Sequence, residues 1–206
     1  MRGMFRISRK TATIGVASAA EIAVIVGVLI AGSANAVSPG THTRAASSPS
    51  MLSRAATAAD AVPARGQSNL DRAGDGGINA ENTRSAGSDA NGKYRVGKDN
   101  AGNVCMLAET WGEGMTTVCA TPEVFANQGL SMNIEGKTPT EYTEVYLIPD
   151  DIDNAAVAAQ TGLKSVSKGL LTGDTRGHAT HEYAFGSKVS KSAGSFTLRL
   201  MTPNQE

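Results

Sequence analysis

The chain lacks most of the patterns that would declare a chemistry. It contains no Gly-x-Ser-x-Gly elbow and no phosphate-binding glycine loop, which removes the locally readable marks of a serine hydrolase or a nucleotide site. Its two cysteines, Cys105 and Cys119, are not in the Cys-x-x-Cys spacing that tunes a redox pair. Charge of either sign is not in excess: the formal net charge is +0, and the part after residue 36 is slightly acidic. That excludes a nucleic-acid partner and a polybasic membrane-surface binder, both of which need clustered positive charge. Aromatics make up only 4% of the chain, against 23 glycines, so the core is expected to be modest and the turns many. No cofactor is expected. A two-carboxylate hydrolase leaves no local signature and stays open.

Histidine is scarce too, and the candidate metal patterns fail on spacing. His178 and His181 precede Glu182. Residues three apart on a strand face opposite sides, and zinc peptidases place their histidines four apart on a helix. Asp150, Asp151, Asp153 and Asn154 offer oxygens, but counting from Asp151 the sixth and twelfth positions are Ala156 and Gly162, where an EF-hand needs glycine and glutamate. They read as an acidic turn, and no metal ligands or catalytic residues are assigned.

What is present begins with Arg2, Arg6, Arg9 and Lys10, followed by an apolar stretch that ends in Ala34-Asn35-Ala36. A basic region, an apolar core from Ile22 to Ala31 and a small-x-small site make a secretory signal, with cleavage expected after Ala36. Residues 14–36 are also long enough to cross a bilayer as an uncleaved anchor, with Glu21 as the costly position. Both readings put the rest of the chain outside the cytoplasm. A lipoprotein signal is excluded, because no cysteine follows the cleavage site, and no twin arginine occurs.

Residues 37–92 contain no aromatic residue and few large aliphatics, a composition expected to stay a disordered linker, with a short helix at Met51 to Ala61 the one local candidate. As a flexible chain it would reach roughly 40 Å. Residues 93–206 change character. β-branched and aromatic runs recur between turn signals, so a mainly β fold is expected: a small disulfide-bonded antiparallel sandwich or open barrel with one short helix. Expected strands cover residues 94–96, 104–110, 115–120, 130–134, 142–148, 156–159, 163–171, 181–185 and 196–201. The helix follows Thr121 as cap, with Pro122 at its first position and Gly129 as its stop.

Cys105 and Cys119 flank the turn around Gly112. An odd loop, Trp111 to Glu113, sets them directly opposite in a hairpin, which brings the Cα atoms within disulfide range. The same register sets Met106 against Val118 and Leu107 against Thr117. Trp111 and Glu113, at the tip, are the candidate partner contacts, the alternative being that Trp111 folds back over the sheet. Tyr142 and Tyr146 share one strand face, as core or cross-strand packing.

The run from Asn103 to Ile152, with its Val-Cys strand, glycine-rich turn, Cys-Ala, proline-started helix and Val-Tyr-Leu-Ile-Pro-Asp strand end, resembles small exported actinobacterial proteins of uncharacterised function. The resemblance implies export, a disulfide and a β-rich domain, and brings no activity. The expected function is a non-catalytic cell-surface interaction or structural module, whose partner is a cell-surface component, with membrane contact through residues 14–36 if they are retained. A cell-wall or glycan hydrolase and a secreted protease inhibitor are the alternatives.

Overall fold

A computed structural model describes residues 44–201 apart from 64–65, 68–69, 72, 75–76, 112–113, 139, 187 and 192–193. The expected signal or anchor, and Glu113 of the hairpin tip, lie outside the described residues. No helix among the described residues is long and apolar enough to cross a membrane.

The fold is mainly β, with antiparallel sheets and a disulfide, and two α-helices are delimited among the described residues. The strands are β1 (Arg84–Ser88), β2 (Gly92–Lys98), β3 (Val104–Thr110), β4 (Met115–Ala120), β5 (Leu130–Glu135), β6 (Tyr142–Leu147), β7 (Lys164–Ser167), β8 (Leu170–Gly173), β9 (Glu182–Phe185) and β10 (Phe196–Arg199). Helix α1 (Pro122–Gln128) joins β4 to β5, and α2 (Asn154–Thr161) joins β6 to β7. One four-stranded sheet runs β1-β2-β3-β4, a second runs β5-β6-β8-β7, and β9 pairs with β10.

Alternation along the strands builds three apolar contact zones. Tyr94, Val96, Met106 and Ala108 of the first sheet share a cluster with Leu130, Met132, Val145, Leu147 and Leu170 of the second. Behind the second sheet, Tyr146 and Leu171 cluster with Val157 of α2 and with Phe185, Phe196 and Leu198 of the β9–β10 pair. Behind the first sheet, Cys105 and Leu107 are covered by Leu70, Ala73 and Ile78. Strand β3 is therefore buried on both faces, which accounts for its unbroken Val-Cys-Met-Leu-Ala sequence.

Three expectations need correction. The segment expected to be a disordered linker is, where described, part of this fold. It forms 3-10 turns at Ser50–Ser53, Ala58–Asp60 and Ala80–Asn82, in place of a helix over 51–61, and supplies the whole of β1, which pairs with β2. Of its few large side chains, Leu70 and Ile78 are almost fully buried, Met51, Leu52 and Val62 pack partly buried against the apolar clusters, and polar anchors described below supply the rest. The strand expected over 156–159 is instead the centre of α2. Asp153 Oδ1 accepts from the Ala155 and Ala156 N–H groups, and Gly162 closes the helix at φ 73°, a left-handed cap that glycine takes without cost. The single strand expected over 163–171 is a hairpin, β7 and β8, with a register shift between Ser165 and Ser167. Helix α1 carries the expected signals: Thr121 Oγ1 accepts from Val124 N, Pro122 opens it and Gly129 follows at φ 70°.

Candidate functional site

The β3–β4 hairpin carries the residues singled out from the sequence. Its register sets Cys105 opposite Cys119, Met106 opposite Val118 and Leu107 opposite Thr117, as loop parity requires. Cys105 and Cys119 form a disulfide, with Cα atoms 4.1 Å apart. The Cys105 side of the bond is buried against the 62–80 layer. Asp99 lies beside both sulfurs, but sulfurs joined to each other are not thiolate ligands.

At the hairpin tip, Trp111 has φ 45°, a left-handed conformation that a bulky side chain takes only against strain. Its N–H donates to Asn91 O at 3.4 Å, and its ring packs, half-buried, on the cluster between the two sheets. One part of the indole is therefore spent on the core and the remainder is available at the surface.

The side chains best equipped for acid–base work sit elsewhere, and the sequence reading did not single them out. Glu144 is fully buried on the outer face of β6, between Tyr142 and Tyr146. Its carboxyl accepts from Tyr142 Oη at 2.8 Å, Tyr146 Oη at 2.5 Å, Thr175 N at 3.1 Å and the Thr175 hydroxyl. Burial first, and then the Glu144 hydrogen bond, push both phenols above the ordinary tyrosine range. Tyr146 Oη in turn accepts from Met201 N at 3.0 Å. The Arg176 guanidinium lies 3.9 Å over the Tyr142 ring and holds the Asp174 carboxyl below the usual range.

Asp60 is the second such centre. Its carboxylate takes two bonds from the Arg54 guanidinium, at 2.6 and 2.7 Å, one from Thr57 N at 2.7 Å and one from Ser85 N at 2.6 Å. The Arg54 hydrogen bonds, outweighing burial, hold this carboxyl far below the usual carboxylate range. Arg95, buried under the same turn, donates to Asp60 O at 2.9 Å, and burial lowers its pKa. Asp89 ties the sheets together, accepting from Tyr94 Oη at 2.8 Å and Thr172 Oγ1 at 2.9 Å.

Arg44 is the third anchor. It is 5% exposed. Nε donates to Ala126 O at 2.7 Å, the backbone N–H to Asn127 Oδ1 at 3.0 Å, and the guanidinium to Ser190 Oγ and Asp151 Oδ2.

His178 and His181 are partly exposed and lie just before β9; His178 N donates to Thr175 O at 2.9 Å, so His178 borders the Glu144 centre through Thr175. Asp153 caps α2, Asp151 pairs with Arg44, and Asp150 accepts from Ser50 N, so the acidic turn is consumed by the fold. Two open grooves border the 44–83 segment. One, of about 450 Å³, is lined by Ser48, Leu52, Asn82, Arg84 and Lys98. The other, of about 600 Å³, is lined by Thr57, Asp60, Val62, Gln67 and Glu81.

This arrangement can hold layers together and present surface; the buried carboxyls of Asp60 and Glu144 are engaged by internal donors. No family model, no curated protein and no solved structure matches the chain.

Proposed function

We propose that this chain is an exported or membrane-tethered module of the cell surface, a β-sandwich that binds or spaces other surface components without catalysing a reaction. The observation that carries the reading is the use made of the buried carboxyls. Asp60 and Glu144 each accept four or more hydrogen bonds from their own layers, which leaves them poorly placed to shuttle protons to a substrate. The disulfide supports export, since such bonds persist in oxidising compartments. The likeness of residues 103–152 to small exported actinobacterial proteins points the same way.

Fractionation of cells with N-terminal mapping tests the location. A start at Val37 in the medium marks a secreted domain, a start near Met1 in the membrane fraction marks a tethered one, and cytoplasmic recovery overturns the reading. Incubation of the purified protein with cell-wall glycan and with proteases tests the rest. Glycan cleavage by the purified protein establishes the hydrolase alternative. Protease inhibition abolished by Trp111→Ala establishes the inhibitor alternative, which the disulfide-pinned hairpin favours through preorganisation.

A further inference from the structure

The groove of about 450 Å³ between the 48–53 segment and the β1–β2 pair is lined by charge of one sign. Its cations are Arg84 and Lys98, and no carboxylate is among the described residues that line it. Register brings the two together. Arg84 faces Val96, and Lys98 stands two residues further along the same face of β2. Diagonal neighbours of this kind are roughly 7 to 8 Å apart, a span that two long side chains close around one anion.

Neither charge is spent inside the fold. Arg84 Nε donates to Arg54 O at 3.0 Å, and its Nη1 donates to Glu81 O and Thr83 O, each at 2.7 Å. Three backbone carbonyls thus hold the guanidinium in place while its charge stays unpaired and Nη2 keeps its N–H groups, which lowers the ordering cost of binding an anion. Lys98 is exposed and makes no ion pair among the described residues. The 48–53 segment adds the hydroxyls of Ser48 and Ser50, and Ser53 Oγ, which donates to Ser50 O at 2.7 Å, remains as an acceptor. Leu52, partly buried on the cluster between the sheets, contributes an apolar patch.

Carboxylates stand around this groove without lining it. Asp60 and Glu81 line the neighbouring groove, where Arg54 takes Asp60. Asp150 accepts from Ser50 N and lies 4.0 Å from Lys168, and Glu123 belongs to the first turn of α1. Asp99, next to Lys98 in the chain, is buried and accepts from Ala101 N and Asn103 N.

From this donor-rich lining we infer that the groove binds a polyol phosphate monoester, its phosphate on Arg84 Nη2 and Lys98 Nζ and its hydroxyls on the serines and Asn82. A phosphate monoester brings a charge of about −1.5 to −2 and three strong acceptor oxygens, which match two cations and several neutral donors better than the single charge of a carboxylate does. The volume, within the range of about 300 to 1,000 Å³ usual for small-ligand sites, leaves room for the polyol beside the phosphate. The inference rests on the binding form of the reading above and names the component bound.

The test is isothermal titration of the full chain, held in a neutral detergent at low salt, with glycerol 3-phosphate, glycerophosphoglycerol, inorganic phosphate and glycerol as probes. Glycerol 3-phosphate is expected to bind at least about fivefold more tightly than inorganic phosphate, and glycerol not at all. Lys98→Gln, at an exposed side chain with no internal partner, is expected to weaken glycerol 3-phosphate about tenfold. Arg84→Gln is expected to weaken it further, with circular dichroism showing that the variant is folded. Unchanged affinity in Lys98→Gln overturns the groove as the site. Inorganic phosphate binding as tightly as the ester overturns the polyol, and the diester binding more tightly than the monoester overturns the monoester. Retention on isolated cell walls with release by glycerol 3-phosphate marks a wall-borne ester, and titration without retention marks a soluble one. If no probe binds at millimolar concentration the site is lost, and the surface reading keeps only its spacing role. Cytoplasmic recovery of a chain that does bind removes the surface reading and leaves the site standing.

Discussion

Glu144 satisfies its two oxygens with two phenols, a hydroxyl and a backbone N–H. Replacing it with glutamine leaves one accepting oxygen for these donors, so Glu144→Gln is expected to destabilise the protein by about 2 kcal/mol, read as a lowered midpoint in urea unfolding without a change of slope. The alternation Tyr142-Thr143-Glu144-Val145-Tyr146 already placed this carboxyl on the tyrosine face. The signal was in the sequence, but periodicity alone does not show that the face is covered, because the covering residues, Thr175 and Met201, lie well downstream of β6. Asp60 makes a pH prediction. Its folded pKa lies far below the value of about 3.9 expected for an unfolded aspartate, so the unfolded chain binds the proton first. The stability that Asp60 contributes is present above about pH 4 and is lost as pH falls below it toward the folded value. Acid titration of the unfolding free energy is expected to show this loss, and Asp60→Asn to flatten it.

Among the elements, the β3–β4 hairpin was the most legible, because two cysteines and an odd loop leave one register that places sulfur opposite sulfur. Its disulfide closes a loop of about 15 residues, so replacing both cysteines with serine is expected to cost roughly 3 kcal/mol, measured by denaturant unfolding of the variant against the oxidised parent. Helix α1 was legible for a similar reason, since cap, proline and glycine all mark its ends. Helix α2 was not. Its short run, Ala155 to Ala159, fits either period, and the deciding residues, Asp153 and Gly162, lie outside the apolar stretch and read equally well as turn formers. Ser167 shows why the β7–β8 pair was blurred. The shift after Ser165 breaks the alternation that would otherwise have announced two strands.

At the scale of the whole molecule, the layer expected to be a spacer completes the fold. Composition misled here because it counts large apolar side chains, whereas this layer is held by a handful of them, Leu70 and Ile78 buried and Met51, Leu52 and Val62 partly so, together with Arg44, Asp60 and the β1 ladder. The Leu107 and Cys105 face of the first sheet has no other cover among the described residues. A chain starting at Lys93 is therefore expected to expose that face and to aggregate or unfold, whereas one starting at Val37 folds. Circular dichroism and gel filtration of the two chains check this. The same cover bears on how the protein is made. Cys105 lies at 0% exposure beneath the 62–80 layer, so an oxidant or disulfide-exchange catalyst can reach it only before that layer closes. Cys119 is only partly buried, so exchange with an outside thiol is expected to run through its sulfur, with Cys105 leaving as a thiolate held beneath the layer and poised to close the bond again.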